Sequence, residues 1–223
     1  MVVKSELKLI KSLQQKKYRN EHGLFVIEGK KGLEELLNSR IVPYKLYCSG
    51  DVDSNLEHYG IQKVTSKELA QMSALKNPNG MLGVFHIPTP EPVNFNDWIV
   101  LLDGVQDPGN LGTIIRLCDW YGITNLVCST ATVNCYNPKV LQATMGSVAR
   151  VNIVYEDLTA FFKRNSLPVY GTFMDGISLH TSELPKKGIL VMGNEGNGIS
   201  LAVKERCDFS ISIPQYGKST AES

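Results

Sequence analysis

The chain has 223 residues, of which 43% are hydrophobic, and it carries a formal net charge of +1 at pH 7. This length and hydrophobic content predict one large globular domain or two unequal domains, and we favour two. The near-neutral charge is not the global signature of a nucleic-acid-binding protein, so such a function would have to depend on local basic patches.

The cysteines and the amino-terminal segment indicate where the protein acts. The five cysteines form no C-x-x-C pair and lie mostly in apolar or mixed segments, which is typical of a reducing compartment such as the cytoplasm. The segment MVVKSELKLIKSL interrupts its apolar residues with Lys and Glu, unlike a signal peptide, and no later apolar run is long enough to span a bilayer. We expect a soluble, cytoplasmic protein that does not enter membranes.

The predicted elements of the first part of the chain are those of a small α/β domain. Leu7, Ile10 and Leu13 have helical spacing, FVIEG (25–29) predicts a strand, KGLEELLNS (31–39) a helix and YKLYCS (44–49) a second strand. Three prolines and a polar tail follow in IPTPEPVNFN. We therefore assign a first domain to residues 1–88, a linker to 89–96 and a second domain to 97–223.

After the linker, predicted strands alternate with predicted helices. The strands are WIVLLD (98–103), NLVCS (125–129), PVYGTF (168–173), GILVMG (188–193) and FSISIP (209–214), and the helices are NLGTIIRLCDWYG (110–122), PKVLQATMGSVAR (138–150) and SLAVKERC (200–207). This alternation predicts an α/β fold with a mostly parallel sheet and helices on both faces. Ligands bind such sheets at the carboxyl ends of the strands.

A first glycine-rich loop, DGVQDPGNLGTIIRLCDWYG (103–122), follows one of these strands. Its Asp-Pro-Gly sequence predicts a tight turn, and Asn110 is predicted as the N-cap of the next helix. Arg116, early in that helix, could direct its guanidinium towards an anion near the loop. Capping alone for Asn110, and a surface ion pair of Arg116 with Asp119, are the structural alternatives.

A second glycine-rich loop, VMGNEGNGIS (191–200), has the spacing G-x-x-G-x-G. This spacing differs from the dinucleotide-binding G-x-G-x-x-G and lacks the lysine of a nucleoside-triphosphate loop, which disfavours both cofactor classes. The glycines would let a ligand lie against bare backbone, and Glu195 needs a partner if its charge is removed from water. A turn with a solvated Glu195, followed by Ser200 as a helix N-cap, is the alternative.

The first domain carries a basic cluster, Lys16, Lys17 and Arg19, with Tyr18 interleaved. Phosphate contact combined with base stacking would require such residues, which makes the cluster a candidate RNA-binding site, although the pattern alone favours a solvated helix face. The four scattered histidines form no metal-binding pattern, so no metal is predicted. The absence of a G-x-S-x-G sequence disfavours a serine hydrolase.

Three segments resemble, in order, the three motifs of the SpoU/TrmH family of RNA ribose 2′-O-methyltransferases: NLGTIIR (110–116), LVMGNEGNGIS (190–200) and SIP…GKSTAES (212–223). The segment KKYRNEHGLFVIEGKKGLEELL (16–37) is similar to the start of the family's ribosomal-protein-like substrate-binding domain. The third motif stops at Ser223, where the family continues with Leu-Asn and a final helix, so we expect the natural chain to extend further.

The resemblance implies methylation of a ribose 2′-hydroxyl in ribosomal RNA or tRNA, with ribosomal RNA favoured, by a homodimer whose catalytic domain ends in a trefoil knot. It implies S-adenosyl-L-methionine as cofactor and needs no metal. The implied catalytic residues are Asn110, Arg116, Glu195 and Ser223. The implied cofactor-binding residues are Met192, Gly193, Asn194, Ile213, Thr172 and Phe173.

Arg116 is expected to stabilise the forming alkoxide rather than to accept its proton, because a guanidinium stays protonated at neutral pH. Water or phosphate would then take the proton, while Glu195 and Asn110 hold neighbouring groups. Two other functions remain open: an inactive RNA-binding module of the same fold that acts in ribosome assembly, and a different α/β enzyme whose glycine loops bind another nucleotide.

Overall fold

A computed structural model describes residues 2–214 and Tyr216. The described chain divides into two compact units. The first unit contains the residues up to Thr89 together with Asn134–Arg150, and the second contains Pro90–Val133 together with the residues from Val151 onward. The point of division after Thr89 falls within the predicted linker. The segment Asn134–Arg150, however, belongs to the first unit, although the sequence placed it in the second domain.

Eight α-helices lie in the described ranges. They are α1 (Lys4–Ser12), α2 (Lys16–His22), α3 (Lys30–Leu37), α4 (Ser66–Met72), α5 (Pro108–Trp120), α6 (Pro138–Thr144), α7 (Leu158–Lys163) and α8 (Leu201–Lys204). None of them is long and apolar enough to cross a membrane.

The part of the chain that the structure describes contains ten strands, which form two separate sheets. They are β1 (Leu24–Glu28), β2 (Pro43–Cys48), β3 (Gln62–Lys63), β4 (Met81–His86), β5 (Ile99–Leu102), β6 (Asn125–Ser129), β7 (Asn152–Glu156), β8 (Val169–Ser178), β9 (Ile189–Met192) and β10 (Phe209–Ser212). The first unit holds a sheet in the order β1-β4-β2-β3, and the second holds a sheet in the order β10-β8-β9-β5-β6-β7.

The sheet of the first unit is mixed. Strand β4 pairs antiparallel with both β1 and β2, while β3 adds to β2 in parallel. One face is covered by α1 and α4, whose Ile10, Leu69 and Met72 pack with Tyr47 of β2 and Leu82 of β4. Helix α4 starts in a capping box, in which Thr65 and Glu68 each accept a hydrogen bond from the backbone N–H of the other.

The segment Asn134–Arg150 is built into the first unit by side-chain contacts. The ring of Tyr136 packs on Phe25 with 4.7 Å between centroids, and Nη1 of Arg150 lies 2.5 Å from a carboxylate oxygen of Glu35. At Gly146 the backbone φ is +96°, and an added Cβ would lie 2.6 Å from Cβ of Glu35. A glycine at this position therefore permits both the left-handed backbone and the close approach of α3.

The predicted helix over residues 138–150 is wrong in its length. Helix α6 ends at Thr144, and a 3-10 helix, Ser147–Ala149, follows it. The break occurs because Met145 has φ +50° and Gly146 has φ +96°, and both values lie in the left-handed region that terminates a helix.

Arg19 is a buried member of the first unit and not part of a surface cluster. Its side chain is 2% exposed. Nη1 donates to the carbonyl oxygens of Leu13 and Gln14 at 3.0 and 2.9 Å, and Nε and Nη2 donate to Oδ1 of Asn134 at 3.3 and 3.1 Å. The predicted contact of Arg19 with RNA is therefore wrong, because its guanidinium is used to join α2 to the end of α1 and to the 134–150 segment.

The sheet of the second unit confirms the predicted parallel α/β fold, since all its strand pairs are parallel. In β5, Ile99 and Leu101 pack with Phe161 of α7 and Val203 of α8, while the alternate residues of the same strand are also buried. A strand that is buried on both faces is typical of a sheet covered by helices on both sides. The implied trefoil knot depends on the path of the chain after β10, which is described only at Ile213, Pro214 and Tyr216, so the knot stays a prediction.

We expect Arg19→Met to lower the free energy of unfolding by about 2–3 kcal/mol, because it leaves buried carbonyl and amide oxygens without donors. Urea denaturation measures the loss. The matched control is Lys16→Met on the exposed part of α2, which should stay within about 0.5 kcal/mol of the parent chain. Equal effects of the two substitutions would contradict the structural role of Arg19.

Candidate active site

The two glycine-rich loops meet at one edge of the second unit's sheet. Strands β5 and β9 are adjacent and parallel, with Leu102 opposite Met192. The chain leaves both strands at their carboxyl ends, where open α/β sheets bind ligands. The backbone N–H of Asp103 donates to the carbonyl oxygen of Met192 at 2.9 Å and continues the ladder into the loops. The side chain of Asp103 accepts the N–H of Ser200 at 2.7 Å.

The first loop turns into α5 at Asp107-Pro108. The side chain of Asp107 accepts the backbone N–H of Asn110 at 2.8 Å, so Asp107 is the N-cap. Pro108 occupies the first helical position, where its fixed φ is favourable and its missing N–H costs nothing. The predicted capping role of Asn110 is therefore wrong. Asn110 lies in the first turn, and its side-chain amide is available for another contact.

That contact is with Glu195 of the second loop, which joins the two loops. One carboxylate oxygen of Glu195 accepts the N–H of Asp107 at 3.1 Å and Nδ2 of Asn110 at 3.2 Å. The other oxygen accepts the N–H of Gln106 at 3.2 Å and Nδ2 of Asn194 at 3.3 Å. We call these four contacts the Glu195 clasp. Glu195 is partly buried and has partners in both loops, and two of the four predicted catalytic residues, Asn110 and Glu195, are in direct contact.

The clasp keeps the carboxyl group of Glu195 ionised. Partial burial alone would raise its pKa, but hydrogen bonds from its own backbone and from the N–H groups of Gln106 and Asp107, followed by the amide of Asn110, outweigh burial and lower the pKa. A carboxylate with a lowered pKa and four donors is a weak proton acceptor. What the geometry shows for Glu195 is that its carboxylate holds the two loops together.

The second loop is a tight hairpin organised by Asn194. Asn194 and Gly198 exchange two backbone hydrogen bonds of 2.9 Å. The side chain of Asn194 accepts the N–H groups of Gly196 and Asn197, both at 3.0 Å, and donates to the carbonyl oxygen of Gly104 at 2.8 Å. At Gly193 an added Cβ would lie 2.2 Å from the backbone of Gly198. Gly193 is therefore needed for closure of the hairpin, whether or not a ligand is present.

The predicted cofactor-binding residues lie on three adjacent strands, β9, β8 and β10, or in the loops that follow β9 and β10. Thr172 follows the last β8–β9 pair, and its hydroxyl donates to the carbonyl oxygen of Val191 at 3.0 Å, beside Met192. The next residue, Phe173, has Nζ of Lys204 5.1 Å from its ring centroid. Ile213 comes directly after β10 and is exposed. This edge offers apolar side chains and loop backbone, which fit an adenosine with an aliphatic sulfonium chain.

Arg116 is exposed on α5, six residues beyond Asn110, which corresponds to about 9 Å along the helix axis. Within the described ranges it makes no hydrogen bond or ion pair, and the alternative pair with Asp119 is not observed. Its five N–H donors are therefore not used by the surrounding fold.

The remaining predicted site residues lie elsewhere. Lys16 and Lys17 are exposed in the first unit, with Nζ of Lys17 5.6 Å from the ring centroid of Tyr18. Ser223 lies outside the described residues. No group of three or more potential metal ligands occurs in the part of the chain that the structure describes.

Sequence reasoning missed two residues that join the loops. Gln106 does so through its backbone N–H, and Asp103 through its side chain. Only the position of Asp103, directly after a buried strand, could have indicated its role.

Two family models match the chain. The SpoU rRNA methylase family matches residues 97–221, and an MRM3-like substrate-binding domain matches residues 4–83. The 23S rRNA (guanosine(2553)-2′-O)-methyltransferase RlmP of Bacillus subtilis is 30% identical over 217 residues, which cover 93% of this chain and 86% of RlmP. The mitochondrial rRNA methyltransferase 3 of Xenopus laevis is 30% identical over 162 residues, which are 66% of this chain but only 38% of that protein.

Solved structures with both units are also similar. The S-adenosylmethionine-bound rRNA methyltransferase of Sinorhizobium meliloti superposes with a TM-score of 0.87 at 26% identity and covers 100% of this chain and 91% of that chain. A TrmH-family protein from Porphyromonas gingivalis superposes with a TM-score of 0.85 at 34% identity, covering 100% of this chain and 92% of that chain.

We expect the clasp to make stability depend on pH. Because the folded-state pKa of Glu195 lies below its ordinary value of 4.5, its contribution is present above about pH 4.5 and is lost as the pH falls through the lowered pKa. Glu195→Gln should lower the free energy of unfolding by about 1 kcal/mol at pH 7, and by less at pH 3. Urea denaturation at both pH values tests this. The control is Glu205→Gln, which replaces an exposed carboxylate at the end of α8. Its effect on the free energy of unfolding should be the same at both pH values.

Proposed function

The chain belongs to the SpoU rRNA methylase family, and from this premise we propose that it transfers a methyl group from S-adenosylmethionine to a ribose 2′-hydroxyl of ribosomal RNA. The observation that carries the proposal is the Glu195 clasp, which joins the two motif loops, while Arg116, on the same helix as Asn110, has no hydrogen-bond or ion-pair partner among the described residues. The named activity of RlmP at 30% identity and the bound cofactor of the Sinorhizobium meliloti structure support the substrate and the methyl donor.

The residues that would hold the cofactor are Met192, Gly193 and Asn194, with Thr172 and Phe173 of β8 and Ile213 after β10. S-adenosylmethionine supplies the methyl group on a sulfonium that is already activated for displacement. The protein therefore has to orient the ribose hydroxyl and manage its proton, which requires no metal. The close-packed hairpin at Gly193 supports this assignment, because it keeps loop backbone at the sheet edge.

Arg116 is assigned to the reacting hydroxyl and its neighbouring phosphate. A guanidinium remains charged at neutral pH and presents a planar fork of donors, which suits a phosphate and a developing alkoxide. It is a poor proton acceptor for the same reason. Since Glu195 is committed to four donors, the proton passes to water or to phosphate, and Arg116 stabilises the charge that forms.

The first unit is assigned to RNA binding. Lys16 and Lys17 are exposed on α2, and Tyr18 lies next to the ammonium of Lys17, an arrangement that combines phosphate contact with an aromatic face. The match of residues 4–83 to a substrate-binding domain supports this role. All five cysteines are free thiols, which supports action in a reducing compartment such as the cytoplasm.

We also propose that the active species is a homodimer formed through the carboxyl-terminal part of α5. Trp120 is 83% exposed and Tyr121, which follows the helix, is 73% exposed, with Leu117 one turn earlier. Adjacent large apolar side chains of this kind mark interaction surfaces more often than free surface. A two-fold symmetric contact would bury the same patch on both copies.

The proposed activity is tested by transfer of tritiated methyl from S-adenosylmethionine to unmodified total RNA, with resistance to alkaline hydrolysis as the sign of ribose methylation. We expect label from the parent chain and a loss of at least about 100-fold with Arg116→Ala, which removes charge stabilisation in the transition state. Arg116→Lys should restore only part of the rate, because an ammonium lacks the fork.

The matched control for Arg116 is Arg206→Ala. Arg206 is exposed and precedes Asp208, whose backbone N–H donates to the carbonyl oxygen of Val169 at the amino-terminal end of β8, the opposite edge of the sheet. Its rate should stay within about twofold of the parent rate. Absence of label with RNA binding retained would favour the inactive RNA-binding module. Near-full activity of Arg116→Lys that rises with pH would instead identify residue 116 as a base.

We expect Trp120→Asp to convert the dimer into a monomer, because it places a charge at the centre of the exposed aromatic patch. Size-exclusion chromatography with light scattering measures the mass. Tyr44→Asp, a substitution of an exposed aromatic residue in the first unit, is the control and should remain dimeric. A monomeric parent chain would exclude the dimer, and a dimeric Trp120→Asp variant would place the interface elsewhere.

A further inference from the structure

Two buried hydroxyl groups at the carboxyl end of β6, those of Ser129 and Thr132, have no role in the site described above. Thr132 is 2% exposed, and Ser129 is also buried. Their oxygens are 3.1 Å apart. The hydroxyl of Thr132 is 3.3 Å from the carbonyl oxygen of Leu102, the last residue of β5, and the oxygen of Ser129 is 2.9 Å from the backbone nitrogen of Gly104.

The chemistry of the partners fixes the direction of these hydrogen bonds. The carbonyl of Leu102 can only accept, so the hydroxyl of Thr132 donates to it. The oxygen of Thr132 then accepts the hydroxyl hydrogen of Ser129, and the oxygen of Ser129 accepts the N–H of Gly104. All three hydrogen bonds point the same way, an arrangement in which each bond strengthens the next.

Gly104 belongs to the first glycine-rich loop and contacts the second. Its φ of +76° lies in the left-handed region, and it lies two residues after the end of β5, between Asp103 and the residues Gln106 and Asp107 that donate to Glu195. While its N–H is held by Ser129, its carbonyl oxygen accepts Nδ2 of Asn194 at 2.8 Å. Gly104 is therefore fixed on one side by β6 and on the other by the hairpin of the second loop.

We propose that Ser129 and Thr132 are positioning residues of the methyl-transfer site, which act through Gly104 to set the relative placement of the two loops. The inference rests on the proposed function, because it assigns these hydroxyls to the same site. A continuous series of hydrogen bonds runs from the end of β5 through Thr132, Ser129 and Gly104 to Asn194, whose Oδ1 holds the N–H groups of Gly196 and Asn197. The same hydroxyls thereby orient the backbone on which the cofactor is expected to lie.

A purely structural role for these residues makes a different prediction. If they only filled space at the end of β6, an apolar residue of the same shape would serve, and its cost would appear in stability alone. If they orient Gly104, the loss of one hydroxyl leaves the next donor in the series without a partner and shifts the loops. Small displacements of binding groups reduce the rate of the chemical step more than they reduce stability.

The experiment compares Thr132→Val, Thr132→Ser and Ser129→Ala with the parent chain. The readouts are kcat, KM for RNA, the dissociation constant for S-adenosylmethionine measured by calorimetry, and the thermal midpoint. Thr132→Val should lower kcat about tenfold, equivalent to about 1.4 kcal/mol of transition-state stabilisation, and should weaken cofactor binding with KM for RNA unchanged. Thr132→Ser, which keeps the hydroxyl, should restore both values, and Ser129→Ala should resemble Thr132→Val.

The matched control is Ile153→Val, which removes one buried methylene group from β7 of the same sheet and contacts neither loop in the proposed series. It should lower the thermal midpoint without changing kcat. The positioning role is refuted if Thr132→Val and Ile153→Val lower the thermal midpoint by similar amounts and have the same kcat and cofactor affinity. It is also refuted if Thr132→Ser fails to restore kcat and cofactor affinity. Should Thr132→Val not fold, Ser129→Ala decides between the same outcomes.

A readout that does not require turnover separates this inference from the proposed function. Hydrogen exchange of the Gly104 amide, followed by NMR, should be faster in Ser129→Ala and Thr132→Val than in the parent chain and unchanged in Ile153→Val. If the parent chain transfers no methyl group, the proposed function fails while this measurement still tests the hold on Gly104. Unchanged exchange in both variants would overturn the inference, even in an active enzyme.

Discussion

The arrangement of the second unit depends on one ionised carboxylate, that of Glu195, which holds two loops from different parts of the chain. Parallel strands deliver their following loops to the same edge of a sheet, but they do not fix the loops relative to one another. The loops here expose backbone N–H groups at Gln106 and Asp107 that have no partner in a helix or strand. A charged acceptor stabilises these donors more than a neutral one does, and the side chain of Glu195 in this way joins the loops that follow β5 and β9.

The neutral side chain of Asn194 makes a further contact between the two loops. An amide both donates and accepts, so Asn194 can bind Gly104 on one side and close its own hairpin on the other. The steric requirement at Gly193 belongs to the same construction, because a side chain there would collide with the returning strand of the hairpin. The family motif around residues 193–198 therefore encodes a self-supporting loop, and the proposed binding of the cofactor would add to this structural role.

How much of this could be read from the sequence depends on the range of the interactions. Strand β6 was predicted with its observed bounds, and β5 and β9 to within one residue, because a buried parallel strand is a short apolar run. Helix α4 was missed although Thr65 and Glu68 form a capping-box pattern. The grouping of residues 134–150 with the first unit could not be predicted, because it depends on Arg19 and Glu35, more than one hundred residues away in the chain. Of the partners of Arg19, the carbonyl groups of Leu13 and Gln14 are near in the chain and give no sequence signal, and Asn134 is remote, so the sequence does not distinguish this buried arginine from a surface one.

Asn110 and Arg116, which lie in one helix, show the same limit of prediction from sequence. The contacts around them also show that the negative and positive groups of the candidate site do not pair with each other. Asp-Pro at the start of α5 fixes the N-cap one turn before Asn110, so the Asn110 amide is released for the clasp. Two opposite charges then lie near one sheet edge without pairing with each other. Glu195 is fully engaged by donors of the fold, whereas the structure describes no partner for Arg116. An arginine neutralised by Glu195 would have little left to offer a phosphate. Because N–H groups satisfy the carboxylate, the guanidinium of Arg116 has no partner among the described residues, as its proposed contact with an anionic substrate requires.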